Sequence, residues 1–132
     1  MKGVSSKITK TLTLGALIPC TDNSGAKIVR LVGALKYKGT RRRNPYGGVG
    51  DVLIASVRKG KPDLVKKVVK ALVVRQKKEY RRPNGMRIMF EDNAVVLVTD
   101  DFLPLGTEIK GVVAREIAER FPKVAAISAG VV

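Results

Sequence analysis

Apolar residues in this chain come in short, β-branched runs punctuated by Gly, Pro, Asn and Asp, the rhythm of strands rather than helices. Leu17-Ile18-Pro19-Cys20 and Lys27-Ile28-Val29-Arg30-Leu31-Val32 flank the dense turn signal Thr21-Asp22-Asn23-Ser24-Gly25, predicting two strands joined by a short loop. Asp51 to Val57 (DVLIASV) predicts a strand buried on both faces, and Gly60-Lys61-Pro62-Asp63 the turn after it. Val65 to Arg75 (VKKVVKALVVR) contains no Gly or Pro. Its periodicity fits helix or strand, and its β-branched content decides for strand. Asn84-Gly85 is the strongest hairpin signal in the chain and predicts that Leu72–Tyr80 pairs with Met86–Phe90. Ala94 to Val98 (AVVLV) is one more strand.

Three segments depart from this rhythm. Residues 1–13 (MKGVSSKITKTLT) are polar and read as an extension lacking a core of its own. Lys36 to Gly50 (KYKGTRRRNPYGGVG) reads as a long surface loop. Near the end the period lengthens: Val113, Ile117 and Phe121 recur at helical spacing, with Arg115, Glu116, Glu119 and Arg120 opposite. Thr107 and Glu108 would lead into this helix, Pro122 would end it, and Glu116 and Arg120 would pair along it. Five or six short strands followed by one short helix predict a mainly β fold, a small antiparallel β-barrel with a C-terminal α-helical region. The expected organisation is a single domain over 1–132: the extension 1–13, the barrel 14–108 with a basic hairpin near 76–87, and the helical region 109–132.

Charge changes the picture from fold to function. The chain carries 26 basic and 11 acidic residues, for a net charge of +15. Residues 36 to 87 hold seventeen of those basic residues but three acidic ones, whereas residues 91–132 are net acidic. A field so polarised asks for a polyanionic partner. The hydrophobic content of 45% is ordinary for a globular domain, so the charge does not signal disorder. With no histidine and one cysteine, histidine acid–base catalysis, His/Cys zinc sites and an internal disulfide are excluded. Cys20 reads as a small buried hydrophobe, and one unpaired cysteine fits a reducing compartment. The N-terminus lacks an apolar run long enough for a signal peptide or a membrane span, so a cytoplasmic location is expected.

Three basic clusters stand out: Arg41-Arg42-Arg43; Arg58-Lys59-Gly60-Lys61 continuing to Lys66-Lys67; and Lys77-Lys78-Glu79-Tyr80-Arg81-Arg82. On separate loops of one barrel they would repel one another without a partner, which points to nucleic acid. Tyr37, Tyr46 and Tyr80 all lie in the basic block, where tyrosine stacks on unpaired bases. Tyr80, among polar neighbours, is the strongest stacking candidate; tyrosines capping the barrel with outward hydroxyls are the plainer alternative. Gly47-Gly48-Val49-Gly50 precedes a strand and lacks the Gly-Lys-Ser/Thr ending, so it is read as a turn rather than a nucleotide loop. Glu91-Asp92 and Asp100-Asp101 sit in turn contexts without further ligands. No catalytic residue, metal site or cofactor is assigned.

One stretch carries a family resemblance. Ala71-Leu72-Val73-Val74, nine residues, Asn84-Gly85, four residues, Phe90, then Asn93 and Val96-Leu97 resembles the signature of the universal fourteenth protein of the large ribosomal subunit. Asp22-Asn23-Ser24-Gly25-Ala26-Lys27, Gly48-Val49-Gly50-Asp51, Arg81-Arg82-Pro83-Asn84-Gly85, Glu91-Asp92-Asn93-Ala94 and Gly111-Val112-Val113-Ala114-Arg115-Glu116 keep family order. Ile18-Pro19-Cys20 and Ala126-Ile127-Ser128-Ala129-Gly130 are similar to the archaeal and eukaryotic branch. The resemblance implies a five-stranded antiparallel barrel with a projecting β-hairpin. It also implies a structural role in the large subunit, bound to its ribosomal RNA and to neighbouring ribosomal proteins. Small-subunit RNA across an intersubunit bridge and an anti-association translation factor are further implied partners. The Arg41-Arg42-Arg43 loop varies in the family, so its contacts belong to this branch. A free barrel acting as an RNA chaperone or translation factor is the alternative.

The expected interface is therefore Arg41, Arg42, Arg43, Arg58, Lys59, Lys61, Lys66, Lys67, Lys77, Lys78, Tyr80, Arg81 and Arg82 toward RNA. Glu116, Glu119 and Arg120 are expected to face protein.

Overall fold

The β-branched runs assemble into an antiparallel sheet of five strands in the computed structural model, which describes residues 8–132. Its members are β2 (Leu17–Pro19), β3 (Ala26–Ala34), β5 (Val52–Gly60), β6 (Val68–Arg75) and β9 (Ala94–Val98), hydrogen-bonded in the order β2-β3-β5-β6-β9. Short pairs surround it: β1 (Leu12–Thr13) with β4 (Tyr46–Gly47), β7 (Tyr80–Arg81) with β8 (Arg87–Ile88), and β10 (Val112–Val113) in parallel with β11 (Gly130–Val131). Among the described residues the ladder is not hydrogen-bonded into a closed barrel; one parallel bridge, Cys20 to Val95, with the Thr21 N–H donating to the Val95 carbonyl at 3.0 Å, joins the two edges.

Val65–Arg75 resolves as a strand, as its β-branched content predicts, although β6 starts only at Val68. Ala71 to Val74 and all of β9 are buried on both faces. One face fills the core; the other is covered by the C-terminal residues, where the Ala114 N–H reaches the Val74 carbonyl at 3.2 Å. Strand β5, expected to be buried on both faces, alternates instead: Leu53, Ala55 and Val57 are fully buried, while Ile54 and Ser56 are half-buried.

Gly60 ends β5 with φ +152, where a Cβ would stand 2.6 Å from the Gly25 carbonyl oxygen and 2.9 Å from the Ala26 Cα. Both obstacles are backbone and neither can rotate away. Gly60→Ala should cost about 1–3 kcal/mol, read as a lower urea midpoint at unchanged slope.

Several boundaries differ from the sequence expectation. Of the polar segment 1–13, residues 1–7 lie outside the described residues. Leu12 is buried against Gly47 in the β1–β4 pair, so this segment contributes to the core. The long strand pairing predicted across Asn84-Gly85 does not form, because β9 already occupies that edge: Leu72 pairs with Val96. The hairpin retains two residue pairs, Tyr80–Ile88 and Arg81–Arg87. Its turn spans three residues, with the Gly85 N–H donating to the Arg82 carbonyl and the Arg82 N–H to the Met86 carbonyl. Gly85 takes the left-handed position at φ +85.

The predicted single helix divides into α1 (Arg115–Arg120) and α2 (Pro122–Ala126), with Phe121 as the joint. Pro122 does stop α1, but its fixed φ suits the first turn of α2. Thr107 and Glu108 do not lead into α1, whose N-cap is Ala114. Their N–H groups donate to Asn23 Oδ1 at 2.7 and 3.2 Å, tying this loop to the Thr21–Gly25 turn.

Candidate nucleic-acid interface

Strand direction decides which basic clusters meet. Loop 36–45 leaves the C-terminal end of β3, where the Leu35 N–H bonds the Val52 carbonyl at the start of β5. Strand β6 runs opposite to β5, with Val52 opposite Leu72, so the 76–87 hairpin emerges at that same end. Arg41, Arg42 and Arg43 therefore share one end of the sheet with Lys77, Lys78 and Arg81, and all six are exposed. Arg58, Lys59, Lys61, Lys66 and Lys67, also exposed, stand at the opposite end, where Lys66 closes the β5–β6 turn by donating to the Val57 carbonyl. From Val52 to Lys59 is about 23 Å at ~3.3 Å per residue. Arg58 and Lys59 lie on β5 itself rather than on a loop.

Among the described residues none of Arg41, Arg42, Arg43, Arg58, Lys59, Lys61, Lys66 or Lys67 makes an ion pair. The five basic residues at the far end are thus uncompensated within the fold, and of the six at the hairpin end only Lys78 is paired, with Glu79 at 2.9 Å. Arg30, which lies outside the charge block and was not predicted, joins Arg58 and Lys59 around a shallow groove on the β2-β3-β5 face. Its alternation with buried Val29 and Leu31 was the available signal.

Tyr80, Arg82 and Glu116 depart from expectation together. Tyr80 is fully buried, and its hydroxyl donates to Glu116 Oε2 at 2.8 Å, so it cannot stack on a base. Arg82 is 8% exposed; its Nε donates to Glu116 Oε1 at 2.8 Å and its Nη2 to Glu116 Oε2 at 3.2 Å. Nη2 also reaches the main-chain oxygen of Val132 at 2.7 Å. Glu116 is 1% exposed and faces inward, not toward a protein partner. Because Arg82 takes its carboxylate, the expected Glu116–Arg120 pair does not form. Arg120 instead lies against Gly50, its Nη1 3.0 Å from where a Cβ would stand. Of the three residues expected to face protein, Glu119 is exposed.

The electrostatics of this cluster follow from its contacts. Burial alone would raise the Glu116 carboxyl, but hydrogen bonds from Arg82 and Tyr80 hold it below its ordinary value. Burial, then the hydrogen bond to Glu116, pushes the Tyr80 phenol up to about 12. Elsewhere, burial and the neighbouring Asp22 push the Cys20 thiol up to about 12. Its Sγ donates to Asp22 Oδ1 at 3.0 Å, a structural contact that keeps it a thiol at neutral pH.

Two buried polar side chains that sequence reasoning passed over hold the basic hairpin in place. Gln76 accepts from the Val49 N–H through Oε1 and donates through Nε2 to the Thr9 and Lys78 carbonyls. Arg75 donates to the Lys110 and Val112 carbonyls and pairs with Asp92. Asp100 pairs with Lys70. Among the described residues no three Cys, Asp or Glu groups are placed to hold a metal ion, and no helix is long and apolar enough to cross a membrane.

The family model for ribosomal protein L14p/L23e matches residues 11–132. Over 132 residues, all of both chains, this sequence is 55% identical to the large ribosomal subunit protein uL14 of Picrophilus torridus. It is 52% identical to the protein of that name from Methanoregula boonei and 51% identical to that from Methanocorpusculum labreanum, each over 97% of both chains.

Proposed function

This chain belongs to the ribosomal protein L14p/L23e family, and from that membership we propose that it is a structural constituent of the large ribosomal subunit that binds ribosomal RNA. It acts by binding and not by catalysis. The observation that carries the RNA-binding mechanism is the set of exposed basic residues at two ends of one sheet, of which, among the described residues, only Lys78 is ion-paired, with Glu79 at 2.9 Å. Arg41, Arg42, Arg43, Lys77, Lys78 and Arg81 take phosphates at one end, and Arg58, Lys59, Lys61, Lys66 and Lys67 at the other. Two footprints about 23 Å apart suit two RNA segments better than one continuous groove. Specificity comes from RNA shape, since the basic side chains supply phosphate contacts and few base-edge contacts.

The curled five-stranded sheet serves as a barrel-like scaffold in a single domain. Its neighbours are ribosomal proteins, reached in part through exposed Glu119. Small-subunit RNA across an intersubunit bridge and an anti-association factor complete the proposed partner set, in the cytoplasm. A free RNA chaperone would share the RNA affinity but not the permanent place in the particle.

Salt titration tests the binding mode. If about eight phosphates are engaged, log affinity for a ribosomal RNA fragment should fall against log salt with a slope of about −6. A nearly flat response would contradict it.

A further inference from the structure

A cleft of about 420 Å³ opens between the loop after β3, the start of β5 and the helix joint at Phe121. Its size falls in the usual range for a small-ligand site, about 300–1,000 Å³. Tyr37 and Tyr46 form one wall, packed edge to face with ring centroids 5.2 Å apart. Tyr46 is 37% exposed and Tyr37 half-buried. Half-buried Phe102 stands on another wall, with its ring edge-on to Phe121 at 6.2 Å. Lys36, Lys38 and Arg120 line the same space. The one carboxylate lining it, Asp51, is already engaged by Lys10 at 3.2 Å and by the Gly48 N–H. The cleft is therefore aromatic within and net positive.

Two of its lining residues, Lys36 (φ +60) and Phe102 (φ +61), hold left-handed backbone that side-chain-bearing residues rarely adopt. Such strain concentrates at functional positions.

We propose that this cleft receives one unpaired RNA nucleotide, its base against the Tyr37, Tyr46 and Phe102 rings and its phosphate on Lys36, Lys38 and Arg120. The inference rests on the ribosomal RNA reading and deepens it. Base stacking on aromatic rings tolerates any base, while flanking cations hold the backbone. An acidic peptide is the less suited occupant, because it would satisfy the cations and leave three aromatic faces without planar partners. The loop that carries Arg41, Arg42 and Arg43 adjoins the Tyr37–Tyr46 wall, where the Tyr37 hydroxyl donates to the Asn44 carbonyl at 3.2 Å. The stacking role that sequence reasoning gave Tyr80 thus passes to Tyr37 and Tyr46.

The test uses the full chain and a labelled single-stranded pentaadenylate, followed by anisotropy at several salt concentrations. A Tyr37→Leu/Tyr46→Leu variant should bind on the order of tenfold more weakly with an unchanged salt slope. Tyr37→Phe/Tyr46→Phe, which keeps both rings, should restore affinity, and both variants should keep a single cooperative urea transition, with the leucine variant's midpoint lowered by the loss of the edge-to-face pair and of the Tyr37 hydroxyl's bond to the Asn44 carbonyl. Equal affinity of the leucine variant and wild type would overturn the proposal, as would hexaglutamate displacing pentaadenylate at equal concentration. Failure of the broader reading looks different: a ribosomal RNA fragment would then bind the wild-type chain without a steep salt slope. If that slope is steep and the leucine variant still matches wild type, the cleft alone is at fault.

Discussion

Replacing Arg82 by alanine should lower the unfolding free energy by about 3–5 kcal/mol and the melting temperature by roughly 10–20 °C. The magnitude follows from what is left behind. Glu116, 1% exposed, would keep its charge inside the fold with the Tyr80 hydroxyl as its remaining side-chain partner. The same substitution releases the hairpin from the C-terminal residues, since Arg82 also bonds the main-chain oxygen of Val132. The adjacent Arg81→Ala is the control. Arg81 is exposed, so stability should change by no more than about 0.5 kcal/mol. Replacing the cluster as a set, with Arg82→Met, Glu116→Leu and Tyr80→Phe, should recover most of the loss, because no buried charge is then orphaned.

The pH dependence of this cluster has two limbs of fixed sign. The Glu116 carboxyl is held below its ordinary 4.5, so its contribution is present above that pH and is lost as pH falls through the folded value. Tyr80 is raised from 10 to about 12, so its contribution is intact below pH 10 and is lost as pH climbs toward 12. Thermal melts should accordingly show a plateau between these limits. Tyr80→Phe should flatten the alkaline limb, and Glu116→Gln the acid one.

The Arg41→Gln/Arg42→Gln/Arg43→Gln chain should bind ribosomal RNA about a hundredfold more weakly at ~0.1 M salt, with the salt slope shallower by ~2. Each lost phosphate contact removes ~0.7 from the slope, and three removed contacts give both numbers. Stability should stay within about 0.5 kcal/mol of wild type, because the three side chains are exposed and unpaired. Replacing Arg58, Lys59 and Lys61 at the far end should produce a separate loss. With ~23 Å between the sites, the two sets should add in log affinity. A fall in affinity at unchanged slope would mean that these arginines act other than through phosphates.

What the sequence disclosed, and what it hid, divides along the range of the interactions involved. The strands were legible because β-branched runs bounded by Gly, Pro and Asn carry a local signal, and Val65–Arg75 was rightly read as β on that basis. The hairpin turn at Gly85 was legible for the same reason, but its length was not. Whether Leu72 pairs with Met86–Phe90 or with Val96 depends on β9, more than twenty residues away. Pro122 was read as a stop because proline's effect on the preceding residue is local. That the chain resumes as α2 depends on Val124, fully buried beneath it. The Tyr80–Arg82–Glu116 cluster was invisible as a set, since its members lie 34 and 36 residues apart. A partial signal did exist. Tyr80 and Arg82 alternate with Arg81, so in a strand they must share a face, and the shared face proved to be the inner one. A dense charge run conceals such alternation, because every member looks equally suited to solvent.

The most direct test of the central claim is sedimentation of large ribosomal subunits carrying this chain through a sucrose gradient at high salt. The chain should remain with the large-subunit peak in stoichiometric amount, as a constituent anchored at two RNA footprints. Its release to the top of the gradient, with the subunit otherwise intact, would contradict that claim and identify a dissociable factor instead.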